Sequence, residues 1–141
     1  MNLFKERYKE ELPQKGYFLT TTAESLPFVK DMFDVCICVN ALDHMHSPEI
    51  ALKEIKRVLK PKGFFLVGLF CRPYLLAILK KVGEMVFPFC KEKAHPYEFY
   101  LSSMENFVKT FFEIKLKICT HYRKRNRTLH REDWMFVCKN A

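Results

Sequence analysis

Glycine is scarce in this chain, four residues in 141, and no two of them make a G-x-G pair. A glycine-rich turn brings backbone amides close to a phosphate or nucleotide because no Cβ stands in the way. Residues 1–141 therefore contain no phosphate loop of that kind. Cysteine is present six times, but never as C-x-x-C. Cys36 and Cys38 share a strand pattern and point the same way, and two ligands alone do not make a zinc site. No apolar run reaches membrane-spanning length; 63–71 and 73–79 are interrupted at Arg72 and Pro73. Acidic residues are outnumbered, 16 against 24 Lys and Arg, for a formal charge of +8 and a pI near 9.2. That balance bears on anionic partners and solubility, not on fold.

Apolar residues are plentiful. They make up 49% of the chain and aromatics 15%, enough for a real core and against disorder. The length fits one domain over 1–141. The basic residues are dispersed except in "HYRKRNRTLHR" at 121–131. That run reads as a solvated hairpin tip; a nucleic-acid or acidic-lipid surface is the sharper alternative. The N-terminal "MNLFKERYKEEL" is charged throughout and does not read as a secretion leader. Reduced thiols and a cytoplasmic compartment are expected.

The pattern predicts a helix over 2–12, ended by Pro13, and a strand at "YFLTTT", 17–22. "FDVCICVN" at 33–40 is apolar on both faces and reads as a buried parallel strand. Ser47 is a good N-cap, with Pro48 at the first helical position and Glu49 near the positive end of the dipole. Leu52, Ile55 and Leu59 share a helical face, and Lys60-Pro61 closes the helix. "FFLVGLF" at 64–70 is a second buried strand, so 33–70 reads as strand, helix, parallel strand. A helix to about Phe87 follows, with Ile78, Leu79 and Val82 expected in the core. Ser102 and Glu105 suggest a capping box for a further helix, whose apolar stripe is Met104, Phe107, Val108 and Phe111. "IKLKICTH" at 114–121 alternates, Ile114, Leu116 and Ile118 opposite Lys115 and Lys117. It pairs in expectation with "WMFVC" at 134–138 as an antiparallel hairpin.

"AESLPF", "FDVCICVNALDH" and "SPEIALKEIKRVLKPKGFFLV", followed by a terminal hairpin, together resemble the second half of a class I S-adenosylmethionine-dependent methyltransferase. The similarity is to the small-molecule branch that includes ubiquinone and menaquinone methyltransferases. It implies an α/β fold: a partial Rossmann-like sheet of parallel strands with a C-terminal antiparallel hairpin. It implies S-adenosylmethionine as cofactor and methyl transfer to an unnamed acceptor. It also implies a truncated domain, since the family's glycine-rich first strand and acidic second strand have no counterpart here.

By the same resemblance, Thr22 and Ala23 match the turn that faces the adenine, with Thr22 where the family carries Asp. Asn40, Ala41 and Leu42 match the segment beside the methionine and methyl donor; for Asn40 a plain strand-end turn residue is the alternative. His44 matches a cleft position open to a general base, or is an ordinary loop histidine. Tyr97 and Tyr100 fall in the family's substrate cover. No metal is expected. Removing the family's first two strands would leave 35–39 with an open edge, to be met by the 17–22 strand, by a second copy in a homodimer, or by a second polypeptide. A non-catalytic scaffold derived from a methyltransferase, and an RNA-binding protein using 121–131, are the alternative functions.

Overall fold

A computed structural model describes residues 16–71, 78–79, 82, 85–86, 97, 99–121 and 132–140. The expected helix at 2–12, the basic run at 122–131 and most of the 73–87 helix lie outside the described residues. Four strands form one sheet in the order β1-β2-β4-β3. They are β1 (Phe33–Val39), β2 (Leu59–Cys71), β3 (Glu113–His121) and β4 (Glu132–Lys139). β1 and β2 run parallel, in register from Val35↔Phe64 to Val39↔Gly68. β2 with β4 and β4 with β3 are antiparallel. The α/β reading, a parallel pair extended by a C-terminal hairpin, is what the chain adopts.

Helix α1 (Pro48–Val58) bridges the parallel pair, and α2 (Leu101–Lys109) precedes the hairpin. Pro48 occupies the first turn of α1, where its missing N–H is no loss. Ala51, Leu52, Ile55 and Val58 recur at helical spacing and are all buried. They pack on the alternate residues of β2, Phe65, Val67 and Leu69, with Phe136 and Cys138 of β4 beside them. Met104 and Val108 of α2 complete this core, and Phe112 lies 4.9 Å from Phe65, ring centre to ring centre. All the helical contacts in this core fall on one face of the sheet.

The other face is open. Val35, Ile37 and Val39 of β1, Phe64 and Phe70 of β2, and Leu116 and Ile118 of β3 are all exposed, Ile37 at 70%. This corrects the expectation that 33–40 is a strand buried on both sides. Its apolar pattern is that of an interior parallel strand, but β1 is an edge, and only Cys38 is fully buried. Periodicity reports what a strand is suited to, not which neighbours it has.

Four further expectations change. Residues 17–22 form no strand, and Tyr17 is 97% exposed; β-propensity without a ladder partner does not make a strand. β2 begins at Leu59, five residues earlier than the pattern placed it. Pro61 sits in the stretch 60–63, which β1 does not match, and Lys62 there has φ 67°. In β3 a bulge between Ile114 and Leu116 turns the alternation over, so Lys117 comes to the helix-covered side and Leu116 and Ile118 to the open one. Ile78, Leu79 and Val82, expected in the core, are exposed among the described residues, as are Met85 and Val86.

The α2 cap also differs. Tyr100 is the N-cap, and its N–H donates to Ser103 Oγ at 3.1 Å. Glu105 instead accepts from Lys109 and, across to β3, from Lys117, each at 2.8 Å. Among the described residues, Cys36, Cys38 and Cys138 are free thiols. Among the described residues no helix is long and apolar enough to cross a membrane.

Candidate functional site

The open edge of β1 borders a slot of about 460 Å³. One side is β1 itself, from Val35 to Val39, with Ile55 and Val58 of α1 beneath. The other is the connecting segment, through Ala23, Leu26 and Phe28, and the far end is closed by Ala41 and Met45. A pocket of this size accommodates a small organic ligand, and its lining is apolar, as such sites usually are. One end of it, at Val39, Ala41 and Met45, adjoins the C-terminal end of a parallel strand, where open α/β sheets bind ligands.

Side chains of α1 fix the wall at 23–28. The Leu26 N–H donates to the Glu54 carboxylate at 3.0 Å. Arg57 donates to the Phe28 carbonyl at 2.8 Å and to the Leu26 carbonyl at 3.0 Å. Arg57 also donates twice to Glu54, both at 2.8 Å. The guanidinium, with the Leu26 amide, holds the Glu54 carboxyl at about 2, far below the usual carboxylate range. Glu24 accepts the Ser47 N–H at 3.0 Å, which lowers its pKa in the same way.

At the closed end the chain leaves β1 through Asn40, whose backbone is left-handed at φ 50° while its N–H donates to the Gly68 carbonyl at 2.9 Å. Asparagine tolerates this conformation better than most residues. A single 3-10 turn, Leu42–His44, follows. The His44 N–H donates to the Ala41 carbonyl at 3.1 Å. Leu42 is wholly buried and does not line the slot. His44 Nε2 lies 3.9 Å from the Asp43 carboxylate, and the imidazole is about half exposed. Tyr97 donates its hydroxyl to the His46 carbonyl, just past this turn, at 2.9 Å.

Of the residues singled out in the sequence, Ala23 and Ala41 line the slot together, and Asn40 stands at its end. Thr22 is next to the wall but exposed; its carbonyl accepts the Ser25 N–H. Tyr97 meets the histidine turn, whereas Tyr100 is occupied in capping α2. Sequence reasoning missed Leu26, Phe28, Met45, Glu54 and Arg57. Glu54 and Arg57 carry an i, i+3 charge pattern that looks like any helix surface pair. Cys36 and Cys38 also line the slot. Burial raises both thiols, Cys38 to about 11 with help from the neighbouring Asp43 charge. Neither is a ready thiolate at neutral pH.

A family model described as a methyltransferase domain matches residues 2–67. A ubiquinone/menaquinone biosynthesis C-methyltransferase of a Shewanella species is 30% identical over 98 residues, 62% of this chain and 38% of that protein. Over residues 2–67 the chain is similar to methyltransferase domains. Solved structures agree on the methyltransferase fold. A candidate methyltransferase of Bacillus halodurans superposes with a TM-score of 0.71 at 15% identity, over 96% of this chain and 76% of that one. An S-adenosylmethionine-dependent methyltransferase of Methanosarcina mazei does so at 0.62 and 21% identity, over 84% and 64%. The match thus spans less than two-fifths of that curated methyltransferase's length.

Proposed function

We propose that this chain is an S-adenosylmethionine-dependent methyltransferase-family domain whose slot takes the adenosine side of the cofactor, and that residues 1–141 by themselves furnish only part of the pocket. The slot beside β1 carries the reading. It runs along β1 to that strand's C-terminal end and is lined by Ala23 and Ala41, two positions the family resemblance assigns to the cofactor. A flat ring fits between the 23–28 wall and β1. Thr22 offers a neutral hydroxyl where the family offers a carboxylate, and a neutral acceptor is weaker by about twofold. The backbone of Asn40, Ala41 and Leu42 would flank the methionine portion. Nothing in the sequence supplies the glycine-rich turn that would let backbone approach that portion from the other side.

The chemistry of the class is displacement at a methyl carbon. A nucleophilic O, N or C of the acceptor forms the new bond as the bond to the sulfonium sulfur breaks and its electron pair returns to sulfur. The leaving group is already activated, so the protein's work is alignment and exclusion of water. His44, half exposed in the turn that follows Ala41, would accept a proton from an acceptor bound beside it; Tyr97 and Tyr100 would border such an acceptor. The acceptor itself is unassigned.

Completion of the pocket requires a further strand along β1. The N–H of Asn40 points to β2, so the alternation along the strand turns the amides and carbonyls of Val35, Ile37 and Val39 outward. An uncharged edge with no strand beside it among the described residues recruits another strand, supplied by a second copy or by another polypeptide. Free thiols at Cys36, Cys38 and Cys138 support placement in the cytoplasm. Titration calorimetry of the full chain with S-adenosylmethionine tests the proposal. Saturable binding supports it. No heat up to millimolar cofactor, with an added partner that closes the β1 edge, would instead favour the scaffold reading.

A further inference from the structure

The segment from Thr22 to Met32 contributes no strand to the sheet, yet it forms one wall of the slot. It is tied to α1 at three levels. At its start, Glu24 accepts the Ser47 N–H; at its end, Asp31 and Met32 donate to the carbonyls of Arg57 and Val58 at 3.0 and 2.8 Å. Between these ends the side chains of Glu54 and Arg57 grip the backbone from α1, through Leu26 N–H, Leu26 carbonyl and Phe28 carbonyl. Leu26 and Phe28 are no more than partly buried, so apolar packing alone does not fix this stretch. The two side chains also orient each other, since both oxygens of Glu54 are engaged by Arg57. A bidentate pair of this type has one geometry, and it transmits that geometry to the three backbone groups it holds.

We propose that Glu54 and Arg57 are positioning residues for the slot: they hold the 26–28 wall at a fixed distance from β1 and so set the gap that a flat heteroaromatic ring enters. The functional half of this inference rests on the adenosine reading given above; the mechanical half does not. An ordinary helix-surface ion pair would stabilise α1 and leave the wall alone. A positioning pair does the reverse: its loss frees the wall while α1, held by Ala51, Leu52, Ile55 and Val58, keeps its protection.

Amide hydrogen exchange on the full chain separates the two. Glu54→Ala is expected to speed exchange at the Leu26 amide by about tenfold or more, with α1 amides unchanged. Glu54→Gln retains an acceptor for Leu26 and is expected to rescue most of that protection. Arg57→Lys cannot bridge two carbonyls and a carboxylate at once, so it should resemble Arg57→Ala. Cys36 lines the slot and reports its width without any ligand. Its alkylation by N-ethylmaleimide, mapped within residues 31–53, should accelerate several-fold in Glu54→Ala and Arg57→Ala and little in Glu54→Gln. Where the wild-type chain binds S-adenosylhomocysteine, both alanine variants should weaken that binding about tenfold.

Unchanged Leu26 exchange and unchanged Cys36 alkylation in both alanine variants would overturn the proposal, as would equal loss of protection throughout α1. A loosened wall with unaltered ligand affinity would overturn its functional half. If the wild-type chain takes up no S-adenosylhomocysteine, the adenosine reading fails instead, and exchange and alkylation alone decide the positioning role.

Discussion

Asn140 is buried near the end of the chain, and its side-chain amide reaches the end of α1. The Nδ2 group donates to the carbonyls of Leu59 and Lys60 at 3.1 and 3.2 Å, with a longer contact to Lys56 at 3.4 Å. Its backbone joins in, exchanging bonds with Gly63 and Lys62. Helix C-termini leave carbonyls without intrahelical partners, and here a residue over eighty positions away supplies the donor. Asn140→Ala should cost roughly 1–3 kcal/mol, the range for stranding buried acceptors, read as a lowered midpoint in thermal melts. A similar long-range substitution operates at the other end of α1. Ser47 is the N-cap, as its sequence context indicates, but its side chain makes no capping bond. The carboxylate that would sit three residues into a capping box is replaced by Glu24, which takes the Ser47 N–H. Ser47→Ala should therefore change stability by only a few tenths of a kcal/mol. Glu24→Ala should cost about 1 kcal/mol, since a charge-assisted bond is lost at a partly buried site. Chemical denaturation of the two variants side by side gives the comparison.

At the scale of elements, α1 was legible and β1 only half so. The spacing of Leu52, Ile55 and Val58, with Ser47-Pro48 ahead of them, names a helix and its buried face without reference to anything else in the chain. "VCICV" names a strand equally well, and the resemblance to the methyltransferases gave it the right parallel neighbour. What the pattern could not show is that the outward row of Val35, Ile37 and Val39 has no partner among the described residues. The bulge after Ile114 was invisible for a related reason: an inserted residue alters facing without altering composition. Ile37→Lys places a charge on the open face, at the middle of the free edge. The 70% exposure of Ile37 means that the isolated fold should tolerate it, within about 0.5 kcal/mol. The same change opposes strand addition. In sedimentation velocity at tens of micromolar, the wild-type chain is expected to associate and the variant to run as a monomer. A wild-type chain that is already monomeric there would count against completion of the edge by a second copy.

For the molecule as a whole, the titration behaviour is set by carboxylates held down by cations and amides. Glu54 is the strongest case, at about 2, through Arg57 first and then the Leu26 amide. Glu105 is lowered by Lys109 and then Lys117, and Glu113 by Lys115. Each of these groups has a folded pKa below its unfolded value near 4.5. Each therefore contributes its stabilisation fully above that value and loses it as pH falls toward the folded pKa. Stability should be level from neutrality to about pH 5 and decline between roughly pH 4.5 and 2. Glu54→Gln should flatten the lower part of that decline, as measured by urea midpoints against pH. The exposed members of the set add little, because solvent screens them. Protonation also raises a net charge that begins at +8, and self-repulsion steepens the fall.

The sequence by itself determined most local elements and the family resemblance, because periodicity, caps and motif order are properties of contiguous residues. It placed α1, the parallel β1–β2 pair, the apolar stripe of α2 and the terminal hairpin, and it singled out Ala23 and Ala41 of the slot. Only the tertiary structure decided which faces are covered, that 17–22 forms no strand, and that Glu24, Glu54, Arg57 and Asn140 act on backbone groups 23 to 84 positions away. Those contacts depend on where the chain returns in space, and a hydrogen bond of that span leaves no periodic mark on the residues between its ends.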